Sequence, residues 1–510
     1  MKDPLLKENT NCHAETNGRF LDSEYLKHDL KGHSIRGGAV TMAAQALKFL
    51  LHTGSTVILA RLLTPQDFGM IAMVASISGF VALFKDMGLS MATIQKAEIN
   101  HSQVSTLFWI NVAVSFVLAL VLAMGAPIIS WFYGEPRLTL ITLVLSGTFI
   151  FSGFTIQHRA LLRRHMRFSQ IAVIDISSIC IGITTGIIMA WYGAAYWALV
   201  GMSFVTSLSQ VALVWVFCRW RPDLPVRGAG VLSMVRFGGH LTGTSFVDYF
   251  ARNADNILIG KFIGADALGL YAKAYNLFMM PITQIRSPLI QVAMPVLSSL
   301  QNQPKRYTKY YQRLIDIIAS LTIPLTLYCA IEANFLIRSL LGQQWLGAVF
   351  VFRILAIAAL IQSIAGTRGL VLISHGFSDR FFYFGVFNSI VTVASFIVGL
   401  PFGINGVAVG YTVAKFFIFI PSLFYCFHKT PITVSLFIKT LVSPMIVGMV
   451  AAMCMILIKY TWADDSFIFH IVDAAVFTSV YSALSCCRQS VRETLKLILK
   501  RSPIIAKKSV

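Results

Sequence analysis

The sequence predicts an all-α polytopic membrane protein of about fourteen transmembrane helices, built as two pseudo-repeated six-helix lobes around a central cavity plus a C-terminal helix pair. Three observations predict it. Of 510 residues, 56% are hydrophobic and only 13% charged, with a mean hydropathy of +0.71, whereas a soluble domain carries roughly 25% charged residues. Apolar runs longer than the ~18 residues that distinguish a spanning helix from a buried core helix recur almost to the C-terminus. Finally, the phrase Ile58–Leu59–Ala60–Arg61–Leu62–Leu63–Thr64–Pro65–Gln66–Asp67–Phe68–Gly69 returns, reworded, as Ile257 through Gly269. Each copy lies between two long apolar segments, the sequence mark of the duplicated plan of secondary transporters.

Residues 1–35 are polar and mixed in charge, without the apolar stretch of a signal peptide, and read as a cytoplasmic arm. The first lobe, 36–220, holds segments 37–61, 68–94, 104–131, 138–160, 168–192 and 194–218, cut at polar turns. The second lobe, 228–430, holds 231–260, 266–294, 311–335, 345–370, 381–400 and 404–427. The repeated phrase equates the first two segments with the seventh and eighth, which leaves 437–459 and 466–486, within 436–487, as an appended pair before a basic tail at 488–510. Trp131, Tyr133, Trp191, Tyr192 and Trp345, near segment ends, read as interfacial anchors.

The net charge of +20 would suggest nucleic acid in a soluble protein. Here the bases lie between apolar segments, where they set topology and face anionic lipid. With the N-terminus inside, inward connections hold Lys96, Arg159, Arg163, Arg164, Arg167, Arg219, Arg221, Arg227, Lys305, Arg306, Lys309, Arg313, Arg380 and Lys429, and the tail adds more. Outward turns hold little beyond Arg61, Arg137, Lys261, Arg338 and Lys459, so both termini are expected in the cytoplasm. Eight scattered cysteines show neither a CxxC nor a zinc spacing.

No nucleotide-binding glycine loop, HExxH or GxSxG occurs, which argues against direct ATP use and hydrolysis and predicts no cofactor. What carries chemistry is charge inside spanning segments, each costing about 2.5–3.5 kcal/mol at mid-bilayer on insertion scales. The bases are Lys48, Lys85, Arg252, Arg286, Arg353 and Lys415; the acids are Asp86, Asp175 and Asp248. Bases in excess point to an anionic, phosphate-bearing ligand in a wet cavity. Lys85 and Arg286 fall in the inner half of their segments, where snorkelling to the interface is the competing reading. Asp248, Arg252 and Asp255, spaced i, i+4 and i+7, share one helix face as a salt bridge or as a site for H+ or Na+ coupling, and Asp175 is a second coupling candidate. Pro281, Pro288 and Pro295 in the eighth segment predict a kink or a flexible gate.

The phrase Ile58–Gly69, the run Asp86–Met87–Gly88–Leu89–Ser90–Met91–Ala92–Thr93–Ile94–Gln95, Trp131–Phe132–Tyr133–Gly134–Glu135–Pro136, and Asp255 through Tyr271 resemble the polysaccharide-transport branch of the multidrug/oligosaccharidyl-lipid/polysaccharide exporter superfamily. Its flippases include the Wzx type, and the likeness is strongest to the colanic-acid subgroup. Pro295 through Gln301, followed by Tyr310–Tyr311 and Arg313, belongs to the same likeness, which covers roughly residues 35 to 430. The resemblance implies two six-helix bundles alternating between inward and outward openings, and translocation of an undecaprenyl-diphosphate-linked oligosaccharide across a bacterial inner membrane. The implied partners are that lipid-linked oligosaccharide and membrane lipids, for a monomer working beside polysaccharide-assembly proteins. Rival readings are a drug or cation antiporter of the same superfamily, which would want acids in its cavity, an integral-membrane sugar polymerase or ligase, which would want an extended outward loop, and an assembly scaffold.

Overall fold

The computed structural model describes residues 30–86, 88–96, 99–226, 245–461 and 466–488; most of the N-terminal arm, the start of the seventh segment and nearly all of the basic tail lie outside them. The described residues form helices and no strand. Nine segments among them are long and apolar enough to cross a bilayer, with mean hydropathies from 1.4 to 2.5, and two of these, Gln343–Ser374 and Ser378–Phe427, each contain two α-helices. The chain is a multi-pass helical membrane protein.

Two compact units divide it, residues 1–269 and 270–510. The first contains α1 (Leu30–Leu62), α2 (Pro65–Ala82), a short α3 (Leu89–Gln95), α4 (His101–Tyr133), α5 (Arg137–Arg164), α6 (Phe168–Trp191), α7 (Trp197–Phe217) and α8 (Ser245–Phe262). The second contains α9 (Ala265–Ser299) beyond its first turn, α10 (Pro304–Ile331), α11 (Ala333–Leu340), α12 (Val349–Ala365), α13 (Arg368–Ser374), α14 (Ser378–Gly399), α15 (Gly403–Phe427), α16 (Val434–Thr461) and α17 (Phe467–Cys486). α1, α2, α8 and α9 fall outside the nine apolar spans. They are the helices equated by the repeated phrase, and three of them carry Lys48, Arg252 and Arg286.

Local chemistry explains most boundaries. Thr64 caps α2 by accepting from the Asp67 backbone N–H at 3.3 Å, while the Asp67 carboxylate accepts from the Thr64 N–H at 2.9 Å, with Pro65 at the first helical position. α4 opens on a second reciprocal box, Asn100 with Gln103, and closes on Gly134 at φ 72. The apolar run 68–94, expected as one span, is broken. α2 ends at Ala82, a turn follows, and Gly88 at φ 66 leads into α3, a left-handed backbone that hydropathy does not register. α9, by contrast, runs through Pro281, Pro288 and Pro295 as one helix.

Packing within each unit combines aromatic wedges with close backbone approach. In the first, buried Phe108, His158 and Trp220 interlock with the half-buried Trp215, with His158 and Trp215 ring centroids 4.8 Å apart and the Trp220 indole N–H donating to His101 Nδ1 at 3.0 Å. In the second, the fully buried Tyr307 and Tyr311 of α10 share hydroxyl hydrogen bonds with Ser374 (2.7 Å) and Thr367 (3.1 Å) around α13. Two GxxxG patterns bring hairpin partners together. Gly182 and Gly186 of α6 lie against Thr206 and Met202 of α7, and Gly406 and Gly410 of α15 lie against the Gly399 and Ser395 carbonyls of α14. Trp131, Trp191 and Tyr192 stand exposed at helix ends, whereas Tyr133 and Trp345, read as anchors too, are buried because they face neighbouring helices.

Candidate functional site

The two copies of the repeated phrase are each a helix–turn–helix joint, α1 into α2 and α8 into α9, and they touch. A Cβ on Gly69 would stand 1.7 Å from the Ala265 carbonyl oxygen; one on Gly269 would stand 1.8 Å from that of Pro65. Pro65 and Ala265 occupy equivalent places in the two copies, as do Gly69 and Gly269, so the contact is reciprocal in the way of a two-fold interface. Glycine is required at both places because the facing atoms are backbone and cannot rotate away. Beside it, Tyr249 of α8 donates its hydroxyl to the Ser76 carbonyl at 2.8 Å.

The first unit gathers cations near this joint's helices. Lys48 of α1 pairs with Asp175 of α6, whose other oxygen forms an ion pair with Arg159 of α5 at 2.7 Å. Asp175 is thus the shared counter-ion of two bases, not the lone carboxylate that sequence suggested. Lys85 sits in the turn after α2, with its ammonium 5.9 Å over the Phe149 ring of α5. Asp86 next to it is held by Ser90, whose backbone N–H donates to it at 3.0 Å at the start of α3. Arg159 was assigned to an inward loop although the segment 138–160 already enclosed it. That enclosure was the available signal.

Arg252 of α8 is exposed and Asp255 is buried. The Asp248 side chain lies outside the described residues.

A second cationic group surrounds the break between α12 and α13. Arg286 of α9 reaches the Gln362 carbonyl at 3.5 Å and lies against Gly366, where a Cβ would stand 2.6 Å from its guanidinium. Two residues on, Arg368 donates to the Ala365 carbonyl at 2.7 Å and lies over the Phe384 and Phe419 rings at 5.4 and 5.9 Å. Lys415 of α15 donates to Thr392 Oγ1 at 2.8 Å and Asn388 Oδ1 at 3.2 Å, with its ammonium 5.0 Å over Tyr411. No acid among the described residues lies within ion-pair distance of Arg368 or Lys415; all their partners are carbonyls, a hydroxyl, an amide and rings. Arg368 was missed because it closes its apolar segment, at the border of 345–370. Such an arrangement holds cations by neutral dipoles and leaves their charge available to an anion.

Arg353 belongs elsewhere. It is exposed, donates to the Ala330 carbonyl at 3.3 Å, and lines a cavity of about 510 Å³ together with Glu332, Arg338, Lys459 and His470. The acids within or between these helices also exceed the three counted from sequence. Asp316 is buried and paired with Arg488, Glu332 is buried and paired with Lys459, and Asp473 is buried.

Comparison with known proteins agrees with this architecture. A family model described as "Polysaccharide biosynthesis protein" matches residues 58–350. The lipopolysaccharide biosynthesis protein WzxC of Escherichia coli (strain K12) is 25% identical over 390 residues, 76% of this chain and 79% of that protein. The teichuronic acid biosynthesis protein TuaB of Bacillus subtilis (strain 168) is 27% identical over 306 residues, 60% of this chain and 63% of its own length. Among solved structures, the lipid II flippase MurJ in an inward closed conformation superposes with a TM-score of 0.72 at 13% identity, covering 88% of this chain and 98% of that one. An inward-facing multidrug resistance MATE family transporter of the MOP superfamily gives 0.60 at 14% identity, covering 77% and 95%.

Proposed function

The chain belongs to the family of polysaccharide biosynthesis proteins, and we propose that it is a flippase that moves an undecaprenyl-diphosphate-linked oligosaccharide from the cytoplasmic to the outer leaflet by alternating access. In this reading it resides in a bacterial cytoplasmic membrane with both termini inside, oriented by its bases, and works as a transporter rather than an enzyme. The observation that carries the proposal is the group at the α12–α13 break, where Arg368 and Lys415 are held only by neutral partners among the described residues. A diphosphate supplies the missing negative charge, while the polyprenyl tail stays in lipid. The names of WzxC and TuaB, and the fold shared with a lipid II flippase, support the same substrate class.

Moving two negative charges outward gains about 2.3 kcal/mol per charge per 100 mV of inside-negative potential, so voltage alone biases the direction. H+ or Na+ coupling is then an addition. Asp248 remains the candidate for it, since Asp175 is already shared by Lys48 and Arg159. A cation or drug antiporter is disfavoured by the same uncompensated bases.

The test is flipping of a defined undecaprenyl-diphosphate glycan by purified protein in vesicles, with and without imposed proton, sodium and voltage gradients. A charge-assisted phosphate contact is worth about 1.5–3 kcal/mol, so Lys415→Met and Arg368→Met should each slow flipping by roughly 10- to 100-fold while melting and elution stay those of the parent. Unchanged flipping in both variants and in the double variant sinks the cationic site.

A further inference from the structure

Glu332 is the single residue between α10 and α11, and its carboxylate is wholly buried. Three helices converge on it. Lys459, in the last turn of α16, ion-pairs with Oε1, and the Nδ1 of His470, in the first turns of α17, lies 2.9 Å from Oε2. The Phe335 ring stacks on the His470 imidazole, with centroids 3.9 Å apart and planes 20° from parallel, which fixes the imidazole plane. One turn further along α17, Asp473 is 0% exposed, and neither of its carboxylate oxygens has a hydrogen-bond partner.

Donor atoms from Glu332, His470 and Asp473 all lie within 4.8 Å of one another. Two carboxylates, one ammonium and one imidazole meet here, and Arg338 and Arg353 line the adjoining cavity. An uncompensated buried carboxylate costs several kcal/mol, so something must neutralise Asp473. Ligands around a tetrahedral ion at 2.0–2.2 Å stand about 3.3–3.6 Å apart, inside the 4.8 Å within which these donors already lie. The cavity lined by Glu332, Lys459 and His470 gives an entry path and room for water in the open coordination positions.

We propose that Glu332, His470 and Asp473 bind a divalent cation of the Zn2+ type, with Lys459 as the built-in competitor that holds Glu332 until the ion arrives. The imidazole nitrogen selects a first-row metal over Mg2+ or Ca2+, whose sites are all-oxygen. When the ion binds, the Lys459 ammonium swings on its flexible stem into the cavity. His470 and Asp473 lie beyond residues 58–350 matched by the family model, whereas Glu332 lies within them, so the ion staples the C-terminal helix pair to α10.

The test uses full-length protein, freed of any histidine tag and stripped with chelator, titrated with ZnCl2 while bound metal and melting temperature are read. One equivalent is expected, with a rise in melting temperature and weaker responses to MgCl2 and CaCl2. Asp473→Asn and His470→Gln should each weaken zinc binding at least ~10-fold, and Lys459→Met should tighten it, a gain that an adventitious surface site would not show. Should Asp473→Asn fail to fold, the other two variants carry the comparison. Binding below half an equivalent, or affinity unmoved by His470→Gln and Lys459→Met, overturns the proposal and leaves Asp473 as a protonated acid.

Discussion

Replacing Gly69 or Gly269 with alanine probes the joint between the two copies of the repeated phrase. The new methyl of Gly69→Ala meets the Ala265 carbonyl oxygen at 1.7 Å and its carbon at 2.5 Å, against a comfortable separation of about 3.5 Å, so the joints must part by roughly 1.5–2 Å. Overpacking costs about 1–3 kcal/mol, and backbone atoms that cannot turn aside put this case at the upper end. Alanine returns up to about 1 kcal/mol in helix propensity, leaving a net loss of about 2 kcal/mol. At 2–4 °C per kcal/mol for a unit of this size, each single variant should melt roughly 4–8 °C below the parent in detergent. Because one separation relieves both clashes, the double variant should cost little more than either single one, a coupling of about 2 kcal/mol. Gly125→Ala in α4, where nothing lies within 4 Å, is the control and should not lower the transition. Melting of both variants within ~1 °C of the parent, or costs that simply add, would refute the reciprocal contact.

Asp175→Asn strips the counter-ion from Lys48 and Arg159, and for a half-buried pair it should cost about 1–3 kcal/mol, with partial recovery in an Asp175→Asn/Arg159→Met double variant, both read by melting temperature. Thr64→Ala removes the cap of α2 and should cost about 1 kcal/mol, whereas Thr64→Ser should be near neutral. At the first residue of α5, the Arg137 guanidinium, donating to Glu135 in the preceding loop at 2.7 Å, holds that carboxyl below its usual 4.5. Its stabilisation is therefore present above pH 4.5 and lost as pH falls through the depressed value. As the pair is largely solvated, Glu135→Gln should lower stability by only a few tenths of a kcal/mol at neutral pH, a difference that vanishes in acid melts.

The helical class and many of the boundaries were legible in the chain because caps and turns are local. Thr64–Pro65 with Asp67, and Gly134 after Tyr133, mark helix ends by residue type alone. The break between α2 and α3 was not read from the chain, since 68–94 is apolar but for Lys85–Asp86, and the left-handed backbone at Gly88 that makes the turn is not registered by hydropathy. Site residues were harder still. Lys48 and Lys415 were found from depth in a segment, but depth does not disclose partners: one proved ion-paired and the other held by neutral dipoles. Arg159, Arg368 and Glu332 lay inside apolar segments yet near their borders, where charge is tolerated, and only tertiary packing shows that Arg159 meets Asp175, that Arg368 lies over the Phe384 and Phe419 rings, and that Glu332 meets His470 and Asp473.

The glycine-lined hairpins α6–α7 and α14–α15 bear on how the chain enters its membrane. Each is joined by a short turn, at 192–196 and 400–402, and each pair of axes meets close enough for main-chain atoms to touch. Such pairs gain dispersion contacts as soon as the second helix leaves the insertion machinery, before distant helices exist to receive them. Each hairpin is thus equipped to partition into lipid as one preassembled piece, with the order of biogenesis written into its glycine spacing.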